Sequence, residues 1–314
     1  KGKGLMLLGR AGVGKTYVAK MIADATGAKK LAFTNKACLC LDGTTIHKYL
    51  GINKNGNIDM NWARKQNFKY YVIDEISMVC SHLWRLLCEL KRLTKATFLL
   101  VGDYRQLPPV EEGDIDYFDH PAIKWLCNST RCELTKMKRY DLPLWKVSEK
   151  VYEDDTYHPM DLYNEVTVQE MSKSHNICYT NRTRKRINEK VNKLLTKNKK
   201  YINIDYTGDN KEPPQSVRAY VGLPLIARKN MKGGAMVNNE PFIIKDIDEN
   251  KLTAVSQRAG GDNEIEINIE DFHKLFLMGY CVTAHKSRGE TIDGRINIFD
   301  WGIMDKRLKY TAIT

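Results

Sequence analysis

LMLLGRAGVGKT, residues 5–16, joins a short apolar run to a glycine-rich turn that ends in lysine and threonine. The run LMLL predicts a buried strand, and the apolar spacing from Lys15 to about Ala25 predicts a helix. Residues 9–16 fit the pattern G-x-x-x-x-G-K-[ST] directly between these two elements. The order of strand, turn and helix therefore predicts a phosphate-binding loop.

The residue types in this loop indicate how it binds a nucleotide. Glycines let the backbone N–H groups turn inward around phosphates, and the helix N-terminus adds a favourable dipole. Lys15 reaches the β- and γ-phosphates and Thr16 ligates Mg²⁺, so ATP and Mg²⁺ are the expected cofactors. The predicted nucleotide-binding residues are Gly9, Gly12, Gly14, Lys15 and Thr16.

Further apolar runs extend the same pattern. They occupy residues 31–33, 70–73 and 97–101, and a helix-like stretch over 81–93 lies between the last two. Buried strands that alternate with helices are typical of an α/β protein with a parallel sheet. Ligands of such sheets bind outside the carboxyl ends of the strands, which is where we expect the functional side chains.

Two of these strand ends carry polar residues suited to ATP hydrolysis. YYVIDEIS, residues 70–77, ends in Asp74, which is expected to hold Mg²⁺, and in Glu75, which is expected to orient and deprotonate the attacking water. Because Glu75 can serve a water nucleophile, hydrolysis is favoured over phosphoryl transfer to another substrate. VGDYRQLPPV, residues 101–110, places Gln106 where its neutral amide could sense a γ-phosphate.

Composition narrows the class of protein. The 314 residues exceed what one core usually fills, so two or three domains are expected. No apolar run approaches the roughly 20 residues of a membrane span, and no signal peptide is recognised, which favours an intracellular protein without a membrane partner. The net charge of +12 favours a polyanionic partner.

The second half of the chain repeats the α/β pattern and interrupts it. Apolar runs at 175–180 and 278–285 and a basic helix candidate over 183–195 indicate a second α/β domain. Short alternating runs in 217–270 predict a small antiparallel β unit inserted in that domain. An Asn-Gly pair within 51–60 is a hairpin signal.

Several segments in this order resemble motifs of superfamily 1 helicases. The segments GRAGVGKT, VIDEISMV, GDYRQLPPV and YCVTAHKSRGETID resemble motifs I, II, III and V. TIHKYLGI resembles the segment after motif Ia, and YTAIT the start of motif VI. The combination is similar to the RecD/Pif branch, superfamily 1B.

The resemblance implies a fold and an activity. The fold is α/β, with two RecA-like P-loop parallel-sheet domains, ATP in the cleft between them, and a small SH3-like β insertion in the second. The activity is ATP-driven 5′-to-3′ translocation on single-stranded DNA, with unwinding at duplex junctions. The expected boundaries are 1–128 for the first domain with a pin-like hairpin near 51–60, 129–216 and 271–314 for the second, and 217–270 for the insertion.

The resemblance also assigns roles to residues. In CELTKMKRYD, residues 132–141, Arg139 matches the motif IV arginine that reaches the γ-phosphate from the second domain. Together with Lys15, Glu75 and Gln106 it completes the expected catalytic set. The expected strand contacts are Thr34, Thr45 and His47 in the first domain and Thr283, His285, Lys286, Ser287 and Gly289 in the second.

The chain departs from the family pattern at a few positions. Arg288 stands where motif V usually has glutamine, and Asn35 follows Thr34 where motif Ia commonly has glycine. The chain begins at Lys1, after the usual position of an adenine-binding glutamine, and stops at Thr314, before the usual motif VI arginine. We therefore expect a helicase core that is part of a longer polypeptide.

Two alternatives stay open at this point. One is a viral-type superfamily 1 RNA helicase, although the N-terminal Cys/His zinc module that those proteins commonly carry is absent from this sequence. The other is a nucleic-acid-binding subunit that is inactive in this truncated form. ATPase stimulation by DNA or by RNA separates the first from a DNA helicase, and activity before and after extension of both termini tests the second.

Overall fold

The computed structural model describes residues 4–52, 56, 58–109, 117–139, 142–154, 156–157, 166–206, 215–231, 234–257, 263–288 and 292–314. The chain divides into two compact units. Unit 1 comprises Lys1–Tyr157 with Ile313–Thr314, and unit 2 comprises His158–Ala312. Each unit is described by itself below.

Unit 1 is built on one parallel sheet. Its strands are β1 (Leu5–Gly9), β2 (Lys29–Ala32), β3 (Thr44–Thr45), β4 (Tyr70–Asp74), β5 (Thr97–Gly102) and β6 (Arg131–Leu134). Its helices are α1 (Lys15–Thr26), α2 (Asn35–Leu41), α3 (Ile46–Leu50), α4 (Met60–Arg64), α5 (Ser81–Thr94), α6 (Pro121–Leu126) and α7 (Leu142–Glu153). The strand order is β3-β2-β4-β5-β1-β6, and every pairing is parallel.

Apolar side chains on the sheet and on α5 form the main core of unit 1. The apolar stripe of α5 includes Trp84 and Leu87, which are fully buried in the same cluster as Phe98 of β5. Tyr71 of β4 stacks on Phe98, with ring centroids 5.1 Å apart. Strands β4 and β5 are therefore covered by side chains rather than water, as central parallel strands require.

The division between the units lies later in the chain than the sequence analysis places it. The expected boundary follows residue 128, whereas the compact units divide after Tyr157. The reason is that β6 adds to the first sheet, where it pairs with β1 in the register Met6↔Arg131 to Gly9↔Leu134. Of the pin-like hairpin expected near 51–60, residues 53–55 and 57 lie outside the described residues, and the described ones are not in strands.

Unit 2 combines parallel and antiparallel sheets. Its strands are β7 (His175–Cys178), β8 (Ile202–Ile204), β9 (Val217–Ala219), β10 (Pro224–Ala227), β11 (Pro241–Ile247), β12 (Lys251–Ser256), β13 (Glu264–Asn268), β14 (Phe276–Met278), β15 (Cys281–Thr283) and β16 (Ile296–Ile298). The remaining helices are α8 (Val168–Met171), α9 (Asn181–Leu195), α10 (Phe272–Leu275), α11 (Ala284–Ser287) and α12 (Lys306–Ile313). Strands β15, β7 and β16 form a parallel sheet in that order.

A five-stranded antiparallel sheet overlaps 217–270, the segment in which the sequence predicts a β insertion, and extends beyond it. Its order is β13-β12-β11-β10-β14, and it runs from Pro224 to Met278. Strand β9 pairs instead with β8, and β14 closes the sheet against β10. Phe242 and Phe276 of this sheet share one core with Ile187 of α9, so the sheet is packed into unit 2.

The α/β class with parallel-sheet cores is thus confirmed. Within the described part of the chain, no helix combines the length and the apolar character needed to cross a membrane.

Buried asparagines of α9 complete the hydrogen bonding of two strands. Asn188 Nδ2 donates to the carbonyl oxygen of Cys281 at 3.0 Å, and the Cys281 N–H donates back to Asn188 Oδ1 at 3.1 Å. One turn later, Asn192 forms the same pair with the backbone of Arg218, at 3.0 Å in both directions. Residues four apart share one helix face, so α9 presents two amides to β15 and β9.

Replacing Asn188 with alanine is expected to destabilise the protein by about 2–4 kcal/mol, because the buried N–H and C=O of Cys281 both lose their partner. Urea unfolding followed by circular dichroism measures the loss. Lys190→Ala, on the exposed face of the same helix, is the matched control. Equal midpoints for the two variants would contradict the structural role of Asn188.

Candidate active site

The loop between β1 and α1 has the backbone conformation that its glycines predict. Gly12 and Gly14 have φ of 80° and 89°, in the left-handed region. A Cβ at Gly14 would meet nothing within 4 Å, so backbone conformation and not space calls for glycine there. Lys15 Nζ donates to the carbonyl oxygen of Arg10 at 2.8 Å, which holds the ammonium group beside the loop.

A short hydrogen bond joins this loop to the end of β4. The Thr16 hydroxyl donates to Asp74 Oδ2 at 2.7 Å, across 58 positions of sequence. Asp74 is the last residue of β4 and is 3% exposed. Burial raises the pKa of its carboxyl group, and the hydrogen bond from Thr16 opposes that rise. The structure thus brings together the two residues that the sequence predicts as metal ligands.

The oxygen atoms of Thr16 and Asp74 fit a magnesium ion. Mg²⁺ prefers hard oxygen ligands, and nucleotide sites usually hold it with one or two protein groups, phosphates and water. The Lys15 ammonium lies on the adjacent residue, where it suits phosphate oxygens. In the described ranges, no group of three or more His, Cys, Asp and Glu side chains offers an alternative metal centre.

Glu75 follows Asp74 in a strained conformation. Its φ of 57° and ψ of 43° lie in the left-handed region, which costs a non-glycine residue roughly 1–2 kcal/mol. Its N–H donates to Asp74 Oδ1 at 2.8 Å, and its Oε2 accepts a hydrogen bond from the Thr34 hydroxyl at 2.7 Å. The strained backbone therefore turns the half-buried Glu75 carboxylate toward the end of β2.

Gln106 lies in a tight turn after β5. The turn is set by Asp103, whose Oδ1 accepts from the N–H of Arg105 at 3.0 Å and whose carbonyl accepts from the N–H of Gln106 at 3.2 Å. Gln106 is half-buried, and the following Leu107 and Pro109 are buried. Asp103 and the proline segment thus hold the backbone of Gln106 at the carboxyl edge of the sheet.

Arg139 lies in unit 1, whereas the resemblance implies that it comes from the second domain. It is exposed, and it follows a residue that is bonded to the glycine-rich loop. The Lys138 N–H donates to the carbonyl oxygen of Gly12 at 3.0 Å. The segment after β6 therefore runs beside the loop.

The strand contacts predicted in the first domain cluster at the same edge. Thr34 follows β2, Thr45 ends β3, and Ala32 pairs in register with Thr45. His47 packs the edge of its ring against Phe33 at a centroid distance of 5.7 Å. Burial lowers the pKa of His47, and the nearby His82 acts in the same direction, so the charged form of the ring is disfavoured.

Of the strand contacts predicted in the second domain, His285 and Lys286 are the more accessible. Thr283 and Ser287 are buried, and the Ser287 hydroxyl donates to the carbonyl oxygen of Ala284 at 3.1 Å. His285 lies at the surface and stacks on Tyr179, with ring centroids 6.2 Å apart. Gly289 lies outside the described residues.

Lys286 lies in an electropositive environment that the sequence analysis missed. Burial lowers the pKa of its ammonium group to about 8, and the neighbouring Arg184 and Arg228 act in the same direction. Arg184 belongs to the basic helix candidate, so a dense run of cations was a partial signal. Arg228 comes from the β-rich segment, and no local pattern connects it to Lys286.

Comparison with known proteins shows a similarity to a nucleotide-binding domain family in sequence and to helicases in fold. The family model described as "AAA domain" matches residues 1–112. A Pif1 helicase from Candida albicans is 20% identical, with a TM-score of 0.72 over 99% of this chain and 88% of that one. A Pif1 helicase from Bacteroides, solved with ADP-AlF3 and ssDNA, is 19% identical, with a TM-score of 0.69 over 99% and 86%.

A curated relative matches along nearly the whole chain. The "Probable conjugal transfer protein TraA" of Sinorhizobium fredii (strain NBRC 101917 / NGR234) is 24% identical over 343 residues, which cover 98% of this chain. The chain spans 30% of the length of that relative. Together with the strand order, the loop and the adjacent acids, these similarities show that the chain has the fold seen in Pif1 helicases.

Proposed function

We propose that this chain is the motor core of an ATP-dependent DNA helicase. The observation that carries the proposal is the 2.7 Å hydrogen bond between Thr16 and Asp74, which joins a phosphate-binding loop to an acid with a second acid beside it. That pairing supports a nucleoside-triphosphate site with Glu75 as its general base. The likeness of the fold to Pif1 helicases supports the coupling of that site to DNA.

The chain's own residues divide the work of hydrolysis. The glycine-rich loop and Lys15 hold the phosphates, and Thr16 and Asp74 hold the magnesium ion, which when bound neutralises charge on the phosphate oxygens. Glu75 takes a proton from water as the water oxygen attacks the γ-phosphorus and the bond to the β-phosphate oxygen breaks. Gln106 senses the γ-phosphate from the turn after β5.

Arg139 is proposed as a cationic contact of the γ-phosphate. Its segment is hydrogen-bonded to the phosphate-binding loop through Lys138 and Gly12, which supports a position near the nucleotide. A guanidinium group beside transferring phosphate stabilises the charge of the transition state. In this proposal Arg139 acts from the same compact unit as the loop.

Single-stranded DNA and duplex junctions are the proposed partners. Thr34, Thr45 and His47 line one edge of unit 1, and motif V supplies further contacts through His285 and Lys286. Related Pif1 helicases have been solved with ssDNA and at forked dsDNA, which supports this substrate class. We place the protein inside the cell with its DNA, and we assign it 5′-to-3′ movement.

Lys15→Ala is expected to abolish ATP hydrolysis, because the β- and γ-phosphates lose their cation. DNA binding is expected to stay within about twofold of the original, since Lys15 is assigned to the ATP phosphates and not to the DNA strand. ATPase rates with and without ssDNA, together with fluorescence anisotropy of labelled ssDNA, measure both. Lys20→Ala, on the same helix, is the control.

DNA-stimulated ATP hydrolysis retained by Lys15→Ala would contradict the assignment of the phosphate-binding loop. If RNA and not DNA stimulates ATP hydrolysis by the unmodified protein, the protein is an RNA helicase and not a DNA helicase. If the protein binds nucleic acid but does not hydrolyse ATP, both before and after extension of both termini, the alternative of a nucleic-acid-binding subunit is supported.

Unwinding is expected for duplexes with a 5′ single-stranded tail and not for duplexes with a 3′ tail, because a motor that moves 5′-to-3′ enters on the 5′ tail. Strand-displacement assays with the two matched substrates measure the difference. Preference for the 3′ tail would overturn the direction.

Affinity for ssDNA is expected to fall as pH rises from 7 to 9, by up to about tenfold, because Lys286 has a pKa of about 8 and only its charged form attracts phosphate. The stability of the fold changes in the opposite direction. Above pH 8 this lysine binds more protons in the unfolded chain than in the folded chain, so the free energy of unfolding rises as pH rises toward 10. Anisotropy titrations at constant ionic strength measure the affinity. The Lys286→Met variant should show little of this fall in affinity, whereas the control Lys190→Met should show it in full. An unchanged pH profile in Lys286→Met would refute the contact between Lys286 and the strand.

A further inference from the structure

The hydrogen bond between Thr34 and Glu75 joins a proposed contact of the DNA strand to the proposed general base of ATP hydrolysis. Thr34 is expected to contact the DNA strand, and Glu75 is expected to activate water. In the structure the Thr34 hydroxyl donates to Glu75 Oε2 at 2.7 Å. The two residues are 41 positions apart in sequence and follow adjacent strands, β2 and β4.

Both ends of this bond are held by backbone structure. Ala32 pairs in register with Asp74, and the Phe33 N–H donates to the carbonyl oxygen of Asp74 at 3.3 Å. Thr34 also caps α2, since its Oγ1 accepts from the N–H of Ala37 at 3.1 Å. Glu75 keeps the left-handed conformation that aims its carboxylate at this hydroxyl. The contact is therefore built in by two strand ends and a helix cap.

The chemistry of a hydroxyl makes this contact exclusive. A threonine hydroxyl has one proton to donate, so it serves one acceptor at a time. While it serves Glu75, that carboxylate is turned toward Thr34. A general base must instead come within about 2.6–3.2 Å of the water that it deprotonates.

We propose that Thr34 is a positioning residue that links strand binding to hydrolysis, an inference that rests on the proposed function. A backbone phosphate of the bound strand accepts the hydrogen bond of the Thr34 hydroxyl in place of Glu75. Glu75 is then free to turn to the attacking water. Without the strand, Thr34 holds Glu75 away from water and hydrolysis is slow.

Thermodynamic linkage makes the effect reciprocal. If the strand must displace Glu75 from Thr34, then Glu75 weakens strand binding to the same extent that the strand releases Glu75. Removal of the Glu75 carboxylate should therefore strengthen ssDNA binding in the absence of any nucleotide. This gain should depend on the Thr34 hydroxyl.

The first test is a double-mutant cycle of ssDNA affinity, measured by fluorescence anisotropy in EDTA without nucleotide. Glu75→Ala is expected to bind about three- to tenfold more tightly than the unmodified protein, the range of one exchanged hydrogen bond. Thr34→Val should bind more weakly. Adding Glu75→Ala to Thr34→Val should bring no gain.

A general charge effect gives a different pattern. If Glu75 only repels the strand, its removal strengthens binding equally with and without the Thr34 hydroxyl. Equal gains in the two backgrounds, or no gain in either, would overturn the proposal. If Thr34→Val does not fold, Thr34→Gly replaces it, because glycine is tolerated at a helix N-cap and has no hydroxyl.

The second test is the ATPase rate with and without ssDNA. Thr34→Val is expected to raise the unstimulated kcat severalfold and to reduce the stimulation by ssDNA to less than twofold, with KM for ATP unchanged. Thr34→Ser keeps the hydroxyl and should restore both values. Thr167→Val removes the N-cap hydroxyl of α8 and controls for a lost helix cap. A lower unstimulated rate with the stimulation ratio preserved would refute the role.

The outcomes separate this inference from the proposed function. If the unmodified protein neither binds ssDNA nor hydrolyses ATP, the proposed function fails and this inference fails with it. If it does both and the affinity cycle shows no coupling, only the inference fails.

Discussion

The parallel pairing of β1, β2, β4 and β5 is the constraint on which the candidate active site depends. Because all of these strands run in one direction, their carboxyl ends meet at one edge of the sheet. The register Ala32↔Asp74 places Thr34 beside Glu75, and Leu8↔Gly102 places the glycine-rich loop beside the turn that carries Gln106. Residues far apart in sequence are thus brought together at one edge of the sheet.

At this edge two neighbouring acids acquire different properties. Asp74 is buried and bonded to Thr16, and burial raises its pKa, so its charge is best accommodated next to a cation. Glu75 is half-buried and is held by a hydroxyl that a DNA phosphate could also use. The first acid suits the fixed task of holding a metal ion, and the second suits a task that requires movement.

In unit 2, polar side chains form hydrogen bonds that connect the secondary-structure elements. Asn188 and Asn192 satisfy strand backbones, and Asp300 accepts hydrogen bonds from the Thr180 N–H at 2.9 Å and the Thr183 hydroxyl at 2.7 Å. Burial alone would raise the pKa of Asp300, but these donors hold it below the ordinary value. Strand ends, helix α9 and the antiparallel sheet are therefore joined by specific contacts as well as by a shared apolar core.

The sequence by itself determined the elements that local chemistry controls. The apolar run before Gly9 and the spacing after Lys15 predict β1, the loop and α1, and the run before Asp74 predicts β4, because burial and backbone conformation leave a local pattern. The order of motifs predicts the helicase core, and the structural comparisons confirm that fold.

Only the tertiary structure decided which side chains meet. It placed β6 and Arg139 in unit 1, because β6 pairs with β1, a long-range contact that no local pattern encodes. It set Arg184 and Arg228 near Lys286 and thereby lowered the pKa of that lysine. It also bonded Thr34 to Glu75, since strand order, which follows from packing of the whole sheet, determines which strand ends are neighbours.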